Sequence, residues 1–115
     1  MNEYFEQLNR IIEVENAIGS SKAWPKPDNY DDWTDCWEKR MNRKATKCLS
    51  CGSKEEIVGA HVIIPDEMNG IKTKVYLIIL CKGCNNSPEH FSIDKTDLVD
   101  VTDICPFKDI IDNYR

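Results

Sequence analysis

The sequence predicts an α+β domain in which a central β-hairpin is framed by two Cys-x-x-Cys pairs, with two helices ahead of it and a short helix behind. Three observations carry this. Apolar residues ahead of residue 46 recur at helical spacing. Two β-branched runs, 57–64 and 75–80, lie on either side of a turn-forming Asn69-Gly70. Pro106 then opens a last stretch in which Phe107, Ile110, Ile111 and Tyr114 share one helical face. At 115 residues the chain is read as a single domain, 1–115. Within it lie a helical N-terminal segment (1–46), a cysteine-bearing unit (47–101) and a C-terminal helix (102–115).

Each element has its own justification. Tyr4, Phe5, Leu8, Ile11, Ile12 and Ile18 trace helical spacing that Gly19-Ser20-Ser21 stops, which predicts a helix from about residue 3 to 18. Residues 19–29 hold two prolines and read as loop. A second helix starts near Asn29 or Asp31, with Tyr30, Trp33, Trp37 and Met41 on one face, acids in its first turn and bases in its last. Ile57 to Ile64 is a strand closed by Pro65, and residues 66–73 are a turn region. Val75 to Leu80 is a second strand that runs straight into Cys81. Phe91–Ile93 and Leu98–Val101 read as short extended pieces.

Composition narrows the class. Hydrophobic residues make up 41% and charged residues 30%, as in an ordinary globular chain. No apolar run approaches the roughly 18 residues of a membrane span. The acidic opening, Met1 to Glu6, lacks the basic and apolar regions of a signal peptide, so the cytoplasm is the expected location. The net charge of −5 is unevenly spread: residues 39–84 carry nine basic and four acidic side chains, and none of the acids lies between Lys39 and Lys54. Such a stretch suits DNA or RNA phosphates, or it complements the dipole at a helix C-terminus.

Cysteine spacing is the strongest chemical signal. Cys48/Cys51 and Cys81/Cys84 each leave two residues between sulfurs, which lets both point at one ion. Four thiolates suit the tetrahedral preference of zinc and close its coordination sphere, which makes the site structural. Gly52 and Gly83 stand where such knuckles often need an unusual backbone angle. Cys36 and Cys105 lie outside the pairs and read as buried free thiols; a disulfide between them requires the two segments to meet.

Cys48-x-x-Cys51, a strand carrying Gly59-Ala60-His61-Val62, and a strand ending in Cys81-x-x-Cys84-Asn85 together resemble an HNH endonuclease domain, and more broadly a treble-clef zinc finger. The resemblance covers residues 47–101. It includes Phe91-Ser92-Ile93-Asp94 and Leu98-Val99-Asp100-Val101, which resemble the short strands that follow this unit in small bacterial HNH-like proteins. It implies a small zinc-bound treble-clef core of ββα type. It also implies that His61 is the general base that activates water against a phosphodiester, for which a near-neutral imidazole is suited. A magnesium or manganese ion would sit nearby, held by Asn85, with Asn86 or His90 as substitutes. Ala60 stands where an acid is frequent in the family, and Val75 and Tyr76 where a bracing asparagine is expected. Beside the base, two other roles are open for His61: a further zinc ligand, or a satisfied core histidine. Two functions follow. One is a metal-dependent nuclease. The other is a non-catalytic zinc-stabilised module, offering Lys39–Lys54 to nucleic acid or its acidic ends to a protein partner; neither involves a membrane.

Overall fold

The computed structural model describes residues 10–113. Its centre is a curled, wholly antiparallel sheet of five strands in the order β4-β1-β2-β3-β5. The strands are β1 (Ile11–Asn16), β2 (Ile57–Ile63), β3 (Tyr76–Cys81), β4 (Phe91–Asp94) and β5 (Val99–Asp100). Helices α1 (Ser20–Ala23), α2 (Trp33–Met41), α3 (Lys82–Asn85) and α4 (Lys108–Asn113) decorate it. No helix among the described residues is long and apolar enough to cross a membrane.

The first expected helix is the main correction. Residues 1–9 lie outside the described residues, and Ile11–Asn16 is a strand inserted between β2 and β4. Alternation explains it: Val14 is fully buried and Ile12 partly so, whereas Ile11 and Ile18, which completed the helical stripe, are 51% and 70% exposed. A β-branched Ile-Ile-Glu-Val run favours extended backbone, and the sheet supplies partners for it. The stretch 19–29, expected as loop, also holds the one-turn helix α1, whereas the expected closing helix forms as α4, with Tyr114 outside the described residues. The hairpin pairs Ile57 with Cys81 through Val62 with Tyr76. Its connection contains a short 3-10 turn at Pro65–Glu67 and Gly70 at φ +54°.

Helix α2 forms where the aromatic stripe predicted it. The Asp32 carboxylate accepts from the Asp35 N–H at 2.7 Å and caps its start, and Asn42 in the left-handed region ends it. Its buried face, Cys36 and Trp37, joins Trp24, Leu77, Ile79, Val101, Cys105 and Ile110 in one cluster. The opposite face of the hairpin (Ala60, Val62, Ile64, Ile78 and Leu80) packs with Val14, Ile93 and Cys48 in a second. The helix sits unusually close to the sheet. A Cβ at Gly59 would lie 2.5 Å from the carbonyl carbon and oxygen of Trp33, and the Gly59 N–H donates to Thr34 Oγ1 at 3.0 Å. Only glycine permits that approach.

Candidate metal centre

The curled sheet brings the two cysteine pairs to one end of the hairpin. In the first knuckle, the Leu49 N–H donates to Ile79 O at 2.9 Å, which fastens the loop to β3. The Gly52 N–H returns to Cys48 O at 2.9 Å with φ at +83°, so the expected need for glycine holds there. It does not hold at Gly83, which is not among the residues of positive φ. In the second knuckle, Cys81 is the last residue of β3 and sits opposite Ile57 in the ladder. Cys84 follows in the single turn of α3.

The four Sγ atoms all lie within 4.8 Å of one another, and Cys51 and Cys81 are 3.6 Å apart. Tetrahedral zinc with Zn–S bonds of about 2.3 Å holds its sulfurs about 3.8 Å from each other, so the donor set fits such an ion in size and chemistry. Ionisation within the cluster points the same way. Burial opposes charge at Cys48, yet N–H donors from Cys51, Cys81 and Ser50 outweigh it and bring the thiol down to about 6. Burial and the three neighbouring thiols push Cys84 up to about 12. The backbone stabilises one anion at Cys48, while Cys51 and Cys84 are shifted the other way; a divalent cation is what would let all four ionise. With all four positions taken by sulfur, the role of such an ion is to hold the fold.

The residues that the HNH resemblance marks for catalysis do not share partners. His61 points from β2 toward α2 and is 5% exposed. Its ring lies between Trp24 (centroids 5.0 Å, tilted) and Trp33 (4.4 Å, edge-on), and its Nε2 shares a hydrogen bond with Cys105 Sγ at 3.4 Å. Burial lowers its pKa to about 4 and raises that of Cys105 to about 12, so both are neutral at pH 7. His61 is also not part of the sulfur cluster. Asn85 ends α3, a helix of one turn rather than the longer one a ββα unit has; Ser87 and Pro88 follow at once. His90 is on the surface, with Nδ1 2.9 Å from Glu13 Oε1 and Nε2 2.7 Å from Glu15 Oε2.

Half of the basic stretch is engaged in ion pairs. Arg40 makes a two-pronged contact with Asp103 at 2.9 and 3.0 Å, and its Nε donates to Tyr30 Oη. Arg43 pairs with Asp97 at 2.7 Å and lies over the Trp37 ring, and Lys39 pairs with Asp35. Lys44, Lys47 and Lys54 are exposed. Cys36 and Cys105 are buried unpaired thiols in the cluster beneath α2, as their isolation in sequence predicts.

One residue near the centre escaped sequence reasoning. Asn16, at the end of β1, donates from Nδ2 to Cys84 O and to Ser87 O, both at 2.9 Å. Its signal was slight: a polar residue in register with Ile12 and Val14, on the inward-facing positions of a strand. No protein-family model, curated protein or solved structure matches the chain.

Proposed function

We propose that this chain is a zinc-stapled, HNH-like binding module that no longer cleaves phosphodiesters. The observation that carries the reading is the contrast between four converging sulfurs and a buried His61. A general base must reach the proton it takes, directly or through one water. His61 is covered by two indoles and its Nε2 is committed to Cys105. It is then the core-histidine alternative, and the zinc site is what keeps the hairpin ordered.

A protein is the favoured partner. Arg40 and Arg43 would be the strongest phosphate-binding groups of the basic stretch, and both are spent on Asp103 and Asp97. A net charge of −5 further opposes a polyanion. Metal analysis of the purified protein together with cleavage assays tests the reading. The expected result is one zinc per chain and no cutting of single- or double-stranded DNA or RNA with magnesium or manganese. Cleavage that His61→Ala abolishes would restore the nuclease reading. Binding to nucleic acid that weakens steeply with salt would restore the phosphate partner.

A further inference from the structure

Three of the four cysteines are placed by neighbours in sequence or by the hairpin itself. Cys48 and Cys51 belong to a loop tied to β3 through Leu49, and Cys81 is held in the β2–β3 ladder. Cys84 is different. It follows the sheet in a helix of only four residues, too short to fix its own direction. The start of that helix is tied by the Lys82 N–H to Glu56 O at 3.0 Å, but the carbonyl of Cys84 itself is reached from Asn16, a residue 68 positions earlier.

The geometry points to Asn16 as a positioning residue of the metal centre, the element through which β1 sets where Cys84 presents its sulfur. The inference rests on the four cysteines holding zinc. Both N–H groups of one carboxamide are used, one on Cys84 O and one on Ser87 O, so the peptide groups on either side of the turn are gripped together. The orientation of the amide follows from these partners, since a flipped amide would set its oxygen against two carbonyls. The opposite atom, Oδ1, is buried and has no hydrogen-bond partner among the described residues. A buried acceptor left unpaired is a cost, and the two donated bonds are what offsets it. The attachment continues downstream: His90 reaches Glu13 and Glu15 on the same strand, and Phe91 then pairs with Val14. The segment that follows Cys84 is therefore fastened along β1.

The test measures transfer of zinc from the folded protein to a chelator, and the absorption spectrum of the cobalt-substituted protein. Asn16→Ala is expected to keep one metal per chain but to release zinc about tenfold faster, on the scale of two lost hydrogen bonds. Its cobalt–thiolate bands should shift or broaden, because the Cys84 sulfur is less well placed. Asn16→Ser keeps one donor and should fall between the alanine variant and the parent, which also covers the case of an alanine variant that does not fold. Ile12→Ala, which truncates a half-buried side chain four positions away on the same strand, should lower thermal stability yet leave the cobalt spectrum at its parent form. Parent-like release and spectra in both Asn16 variants overturn the inference. So does an equal spectral change in Ile12→Ala, since Asn16 would then act only by stabilising β1. A parent that binds neither zinc nor cobalt overturns this inference and the four-cysteine reading together.

Discussion

The region beneath α2 and the knuckle end of the hairpin contain the same two side-chain types in opposite circumstances. Beneath α2, Cys36, Cys105 and His61 are buried, neutral and packed among tryptophans. At the knuckle end, Cys48 is buried but its partners open outward: Cys51 is exposed, Cys81 and Cys84 are half-buried, and His90 sits between two carboxylates at the surface. The first region is held by burial and close packing. The second packs one side, through Cys48, on the hairpin's apolar face and leaves polar groups facing one another: sulfur toward sulfur, imidazole toward glutamate. Residue type therefore says little about a cysteine or histidine here; what decides its role is whether other ligand atoms converge on it or apolar atoms surround it.

If that contrast is right, removing the metal should affect the knuckle end most and first. Structural zinc sites contribute on the order of 10 kcal/mol of coupled binding and folding energy. A strong chelator is expected to unfold the hairpin end, read as loss of amide protection in β2 and β3. Retained protection after complete zinc removal would break the comparison. The packed region should instead fail to a single added methyl. Gly59→Ala forces a Cβ against the Trp33 backbone and is expected to cost about 3 kcal/mol or more. Denaturant unfolding measures it, and zinc stoichiometry in the folded fraction should stay at that of the parent.

Titrating the two histidines sharpens the contrast. Burial holds His61 at about 4 in the folded protein against an ordinary 6.5, so between those values the unfolded chain binds more protons. Its contribution is fully present above about pH 6.5 and is lost as pH falls toward and below 4, amounting to about 3 kcal/mol in all. Imidazole NMR shifts should show His61 still neutral at pH 5. His90 goes the other way. Glu13 above all, then Glu15, raise its pKa. Two ionised carboxylates only accept, so contact through both ring nitrogens requires the doubly protonated ring. Its small stabilising effect should be present below pH 6.5 and fade as pH rises through the raised value. The stability gap between parent and His90→Gln, compared at pH 6 and pH 9, checks it; a gap that widens at pH 9 would contradict the assignment.

Much of this was legible in the sequence, for identifiable reasons. Cysteine spacing, the β-branched runs around Asn69-Gly70 and the stripe of Trp33, Trp37 and Met41 are local signals, and the knuckles, hairpin and α2 appear where those signals place them. The N-terminal strand was missed because Ile11, Ile12 and Ile18 satisfy a helical period while Ile12 and Val14 satisfy an alternating one, and the choice between them is made by β2 and β4, far along the chain. The surroundings of His61 were invisible for the same reason. Trp24, Trp33 and Cys105 are 37, 28 and 44 residues from it in sequence. Pairing of Arg40 with Asp103 and of Arg43 with Asp97 likewise removed both arginines from a linear run of positive charge, leaving Lys44, Lys47 and Lys54 exposed.

The strand order has a consequence for how the chain reaches this state. β2 and β3 are joined by a short connection and can pair as soon as both exist. β1, by contrast, meets its partners at separations of 48 residues (Glu15 with Ile63) and 77 residues (Val14 with Phe91). Closing loops of that length is entropically slow, and chains dominated by such pairings fold late and gradually. During synthesis the N-terminal strand emerges first and waits the longest, an apolar segment with both edges unpaired until the C-terminal half arrives. A hairpin formed early would give it a template, and under the proposed zinc reading metal supply during translation would then govern the yield of native protein.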